Sequence, residues 1–238
     1  MIVTVKDKKE LAKKGKDLLL EKIKEAAKLK KNVIVAIPGG RSIQGIFKEL
    51  AKEKDEVLRQ VHFFNVDERV VPLEDEDSNF KLAMGLLFRD LMQNGIIQEG
   101  QLHPLPYQEA RGIIVEDYTN ELLKLNEYPG FDIVLLGVGE DGHVGALYPN
   151  HHSIKDDKEG FIYMDDSPKE PSERISASRT LIKNSRVAIA VFQGESKEEA
   201  FEKYLDGSIS VEKCPVKIIN KTREHIVLTD LKNGKKKR

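Results

Sequence analysis

The chain of 238 residues has no tryptophan, a single cysteine at Cys214 and almost no net charge. One cysteine excludes an internal disulfide framework and leaves no cysteine pair for a zinc ribbon, so a reducing compartment is the simplest setting. Lys+Arg 39 against Asp+Glu 40 leaves a formal charge of -1. That gives no global basic field for nucleic acid, and any attraction for anions has to be local. Long hydrophobic runs are missing too. After the strand-like Ile2-Val3-Thr4-Val5 the N-terminus turns strongly charged, without the apolar core of a signal peptide, and nothing reaches bilayer length. No internal repeat, low-complexity block or Gly/Ser linker divides the chain. These absences predict a soluble, cytoplasmic protein with one α/β domain over residues 1–231 and no nucleic-acid or membrane partner; a monomer or homodimer is expected, with the choice between them left open. Residues 232–238 read as a basic, flexible, solvated tail.

What is present alternates between two periods. Asp7 followed by Glu10 reads as a capping box opening an amphipathic helix, on which Leu11, Leu18, Leu19, Ile23 and Ala26 keep helical spacing. Continuous apolar runs follow at 32–37, 61–66, 131–136 and 186–192, the length and composition of buried strands. Between and after them lie helical patterns: Ile43, Ile46, Phe47 and Leu50; Leu82, Leu86, Leu87 and Leu91 behind a Ser78 cap; and 197–205. Apolar strands alternating with helices predict a mainly parallel sheet flanked by helices in a single α/β domain. Ligands of such sheets bind at the carboxyl ends of the strands, and the unusual loops after Ile37, Val66, Leu136 and Phe192 all fall there. The turn-rich 165–172 segment reads as a surface loop.

Four loops carry candidate chemistry. Gly39, Gly40, Arg41 and Ser42 join a strand to a helix, where glycine lets backbone N–H groups approach an anion, Ser42 donates and Arg41 adds charge. The loop is not a Walker A sequence, because no Gly-Lys-Ser/Thr follows. Asp67, Glu68 and Arg69 leave the next strand together. Asp67 is a candidate for accepting a hydroxyl or proton, Arg69 for facing an anion or a developing oxyanion, and the bland alternative is an exposed ion-pair network. The acids at 74–77 lack calcium-loop spacing and precede a helix, where they suit the dipole. Lys197, in the first helical turn after the fourth strand, opposes the helix dipole unless an anion compensates, and is a phosphate candidate.

The remaining loop, Gly137-Val138-Gly139-Glu140-Asp141-Gly142, satisfies the dinucleotide pattern G-x-G-x-x-G after a strand. Two carboxylates would occupy the place of pyrophosphate, however, and Gly145 and Pro149 leave no room for the long helix that pattern needs. The alternative is a tight glycine turn presenting His143, an imidazole suited to general acid–base work and oriented by a carboxylate such as Asp141 or Asp67. His151 and His152 offer further imidazoles. With no second spaced pair and one cysteine, no metal is expected.

Taken together, Ile37 to Ser42, Asp67 to Pro72 with Ser78-Asn79, Leu135 to Pro149, Ser167 to Ile175 and Gly194 to Lys197 resemble the 6-phosphogluconolactonase family. The resemblance runs from about Ile34 to Asp230. It implies the modified Rossmann-like fold of the glucosamine-phosphate isomerase/deaminase group (NagB/RpiA/CoA transferase-like). It also implies hydrolysis of a small sugar-phosphate lactone, 6-phosphoglucono-δ-lactone, to 6-phosphogluconate in the oxidative pentose phosphate pathway, with no organic cofactor and no required metal. By the family's pattern His143 is the acid/base residue and Arg69 positions substrate or stabilises charge. Lys197, Arg174 and the loop from Gly39 to Ser42 contact phosphate and sugar. One departure is Ser42-Ile43 where relatives often continue with Thr-Pro, which keeps an oxygen donor. A deaminase of the same fold usually reads Asp-Gly-His-Ile-Ala-Phe-Asn-Glu-Pro where this chain runs Asp141 to Pro149 without the Phe-Asn-Glu segment. A sugar-phosphate sensor would need a DNA-binding helix-turn-helix, for which there is no length before Asn32.

Overall fold

In a computed structural model, residues 1–105, 107, 111–126 and 128–232 are described. Apart from Lys232, the basic tail lies outside the described residues. The apolar runs form the inner strands of a seven-stranded sheet in which every described pairing is parallel: β1 (Ile2–Thr4), β2 (Val33–Ile37), β3 (Val61–Asn65), β5 (Leu102–His103), β6 (Ile133–Gly137), β9 (Val187–Phe192) and β10 (Glu224–Thr229). Their order across the sheet is β1-β10-β9-β6-β2-β3-β5. From β2 the chain winds outward through β3 to β5, then returns to place β6 on the other side of β2. The loops after β2 and β6 therefore diverge from one crevice at the point where the winding reverses, the place where such sheets bind ligands.

Alternation along each strand feeds two separate cores. Val33, Val35 and Ile37 pack with Leu11, Leu19 and Ile23 of α1 (Lys8–Ala27), Phe47 of α2 (Gln44–Leu50), Ala83 of α3 (Asn79–Ala83) and Leu91 of α4 (Arg89–Gln93). Ile34 and Ala36 face the other way, toward Tyr118 of α5 (Arg111–Leu125), Leu181 of α6 (Arg179–Lys183) and Phe201 of α7 (Glu198–Leu205). Each fully buried Leu, Ile or Phe contributes roughly 1.5–3 kcal/mol by leaving water. Both predicted N-caps form, with Asp7 Oδ1 accepting from the Glu10 N–H at 2.8 Å and Ser78 Oγ from the Lys81 N–H at 3.1 Å, but the reciprocal half of the Asp7 box does not: Glu10 accepts from the Lys6 N–H instead.

A second, three-stranded sheet was not expected. It is antiparallel and runs β4 (Asp67–Arg69), β8 (Arg174–Ala177), β7 (Phe161–Met164). In it Asp67 pairs with Ser176 and Arg69 with Arg174. The residues read as a charged loop after β3 thus pair with the stretch that follows the turn-rich segment. Among the described residues no helix is long and apolar enough to cross a membrane.

Candidate active site

The carboxyl ends of β2, β3, β6 and β9 open into a cleft of about 710 Å³. Asp67, Arg69, His143, Arg174, Lys197 and the 39–42 loop all line it. Asp141 does not line it but stands behind His143. Lys8, Asn79, Tyr148 and Lys169, none of them singled out from the sequence as site residues, line it too.

Within the 39–42 loop the two glycines have different causes. A Cβ on Gly39 would fall 1.8 Å from Asn79 Oδ1, so glycine there admits the Asn79 amide, whose Nδ2 donates to the Asp67 carbonyl at 2.9 Å. Gly40 has φ +93, a left-handed turn with open space around it. A Cβ on Gly137 would lie 2.9 Å from Ser42 Oγ, so the loops after β2 and β6 touch.

The loop after β6 is a mount for His143. The Gly139 N–H donates to the His143 carbonyl at 2.9 Å and the Gly142 N–H to the Gly139 carbonyl at 3.0 Å. Gly142 turns through φ +92, and no long helix follows, only a short helical turn at His152–Lys155. The imidazole Nδ1 lies 2.5 Å from Asp141 Oδ1, which settles the carboxylate partner left open by the sequence. Partial burial disfavours the Asp141 charge, but the hydrogen bond and charge of His143 outweigh it and hold the carboxyl well below the usual range. An ionised Asp141 accepts from Nδ1–H and leaves Nε2 as the ring's lone-pair nitrogen. Lys169 Nζ, 3.2 Å from Nδ1 and 3.8 Å from Asp141 Oδ2, then acts on the pair as a neighbouring positive charge.

Adjacent strands of the small sheet set Arg69 across from Arg174, and the two positive charges act on each other, an arrangement that is unfavourable unless anions compensate. Arg174, only 3% exposed, is not simply a substrate arm. It donates to the Pro171 carbonyl at 2.8 Å, the Glu170 carbonyl at 3.0 Å and the Lys169 carbonyl at 3.3 Å, while Nη1 stands 3.9 Å from Asp67 Oδ2. Burial lowers its pKa against the opposing charge of Asp67. Arg69 donates through Nη1 to the Asp77 carbonyl at 2.5 Å, and its buried Nε has no hydrogen-bond partner among the described residues. Glu68, between them in sequence, belongs to neither an exposed ion-pair network nor the cleft lining. It is buried and accepts from the N–H groups of Arg69, Asn79 and Phe80 at 2.7–2.8 Å, tying β4 to the start of α3. Lys197 precedes α7 and lies 3.9 Å from Glu140. Burial lowers its pKa, Glu140 opposes that, and Lys169 and Arg41 add to it. Six cationic side chains and four carboxylates line the cleft, a local positive excess in a chain with none overall.

A family model for "Glucosamine-6-phosphate isomerases/6-phosphogluconolactonase" matches residues 6–228. The chain belongs to this family. Among curated relatives it is 34% identical over 199 residues to a 6-phosphogluconolactonase of Borreliella burgdorferi, covering 83% of each chain. It is 32% identical to 6-phosphogluconolactonase 3, chloroplastic, of Arabidopsis thaliana, over 75% of this chain and 60% of that longer protein. The fold superposes on a 6-phosphogluconolactonase from Thermotoga maritima with TM-score 0.83 at 22% identity, covering 96% of this chain and 98% of that one. A monomeric glucosamine-6-phosphate deaminase superposes nearly as well, with TM-score 0.79 at 19% identity over 96% of each chain. Proteins of either named activity thus share this backbone, and the fold does not choose between them.

Proposed function

We propose that this chain hydrolyses 6-phosphoglucono-δ-lactone to 6-phosphogluconate, the lactone-opening step of the oxidative pentose phosphate pathway, with His143 as general base and then general acid. The observation that carries the reading is His143, held by Asp141 at 2.5 Å, facing a cleft that Arg69 and Arg174 also line. A δ-lactone is a reactive ester, so the site has to activate water, orient the ring and stabilise one oxyanion; no covalent nucleophile is required. His143 Nε2 takes a proton from water as the water oxygen bonds to the lactone carbonyl carbon. The carbonyl π electrons move to its oxygen, where Arg69 supplies positive charge. Collapse of the tetrahedral intermediate breaks the bond to the ring oxygen, which receives the proton from Nε2, leaving a carboxylic acid that ionises in water. Asp141 keeps the proton on Nδ1 and stabilises the transient imidazolium. Arg41, Ser42 and Lys197 are assigned to the phosphate, and Arg174 acts chiefly by holding the 169–171 backbone at the cleft edge.

The alternative from the same fold is deamination of an amino-sugar phosphate. The Borreliella burgdorferi relative, 34% identical over 83% of each chain, is named a lactonase, whereas the deaminase likeness stands at 19%. Purified protein should acidify freshly generated lactone faster than the uncatalysed blank and release no ammonia from glucosamine 6-phosphate. The reverse pattern would replace this reading.

A further inference from the structure

Just beyond the turn that carries His143, three potential ligands converge that the lactonase chemistry does not use. His152 Nε2 lies 2.8 Å and His151 Nε2 lies 3.3 Å from the same oxygen, Asp166 Oδ1, and the three ligand atoms all fall within 4.8 Å of one another. Ligand atoms about 2.0–2.1 Å from a tetrahedral zinc stand roughly 3.4 Å apart, so the two distances to Asp166 Oδ1 are near those of two edges of such a tetrahedron. A second observation is independent of the spacing. His151 Nε2 is buried and, among the described residues, makes no aligned hydrogen bond, despite its nearness to Asp166. The other nitrogen of that ring, Nδ1, is 3.0 Å from Ser153 Oγ. Nδ1 also accepts the Ser153 N–H at 3.2 Å, which fixes the ring with Nε2 facing Asp166; coordination through Nε2 would move the ring proton to Nδ1, where the Ser153 hydroxyl can accept it.

We propose that His151, His152 and Asp166 form a binding site for a divalent d-block cation of the zinc class, separate from the catalytic cleft and not required for lactone hydrolysis. Two imidazoles and one carboxylate suit zinc and its neighbours rather than the oxygen-seeking Mg²⁺ or Ca²⁺. None of the three is among the residues lining the cleft. The adjacent histidines alone give no spaced ligand pair in the sequence; Asp166, fourteen residues from His152, completes the set only once β7 has folded back. A bound ion would join the turn after Pro149 to the segment entering Ser167, and so brace the backbone that carries Lys169 to His143.

The test is calorimetric titration of tag-free, full-length protein with ZnCl₂, in parallel with MgCl₂. The expected result is one saturable Zn²⁺ per chain and no Mg²⁺ binding, with Zn²⁺ affinity at least tenfold weaker in both His152→Ala and Asp166→Asn and unchanged in His143→Ala. These two side chains are more than half exposed, so the variants should fold, and their thermal melts without zinc should match wild type. Co²⁺ should give a d–d absorption spectrum in wild type and lose it in the same two variants. Absence of Zn²⁺ binding, equal affinity in His152→Ala and Asp166→Asn, or loss of binding in His143→Ala would overturn the proposal. Lactonase turnover of metal-free His152→Ala should equal that of wild type, and a loss would contradict the site's separation from catalysis.

Discussion

Gly139 and His143 occupy each other's space: a Cβ on residue 139 would lie 2.0 Å from His143 Nδ1 and 2.7 Å from Asp141 Oδ1. The glycine that looks like part of a nucleotide fingerprint is there so that the imidazole can fold back against its carboxylate. Gly139→Ala should therefore push the ring aside while leaving the sheet intact. A displacement of about 1 Å at a reacting group costs roughly 10²-fold in rate. Turnover should fall by that order, with a circular dichroism spectrum like that of wild type.

The Asp141 partnership gives a second expectation. Asp141→Asn keeps the shape but removes the charge and lets the amide donate to Nδ1, shifting the proton to Nε2, the wrong nitrogen for a base. kcat should drop by about 10²–10⁴-fold with little change in KM, measured by initial-rate acidification. The corresponding change at the other carboxylate considered, Asp67→Asn, should instead disturb Arg174, 3.9 Å away, and raise KM.

Much of this was legible in the sequence. Inner strands β2, β3, β6 and β9 are short apolar runs, and their alternating burial follows from the strand period; the positions of the site loops follow from the topology those runs imply. The small sheet was not legible, because Asp67-Glu68-Arg69 is a three-residue strand of charged residues with no apolar period to detect. β5, two residues long, and β10 also escaped, although β10 joins β1 to the rest. At the site, the choice between Asp141 and Asp67 depended on how a glycine turn closes, which composition does not encode. Lys8 reaches the cleft from the start of α1, far away in sequence and without any motif. Lys169 lay inside a recognised stretch, but its nearness to His143 depends on the backbone that Arg174 holds.

That holding role makes Arg174→Lys a non-conservative change. Lysine keeps the charge but cannot serve the carbonyls of Pro171, Glu170 and Lys169 together. kcat/KM should fall by at least about tenfold, with kcat and KM both affected, since transition-state contacts and substrate positioning are lost together. Thermal stability should fall as well. Wild-type kinetics in the folded variant would refute the role.

Burial pushes the Glu68 carboxyl up to about 7, against three backbone N–H groups that favour its charge. A carboxyl raised in the folded state binds its proton more tightly there than in the unfolded chain. Its contribution is complete below the unfolded value near 4.5 and is lost as pH rises through 7. Chemical denaturation from pH 4.5 to 8 should show Glu68→Gln gaining on wild type by on the order of 3 kcal/mol. A constant difference across that range would count against the buried, proton-binding Glu68.

The most direct measurement is the blank-corrected initial rate on freshly generated 6-phosphoglucono-δ-lactone for wild type and His143→Asn at saturating substrate. kcat should fall by about 10²–10⁴-fold with KM near wild type, because the base is gone while the phosphate and ring contacts remain. A folded His143→Asn protein that opens the lactone as fast as wild type would contradict the role of His143 as base.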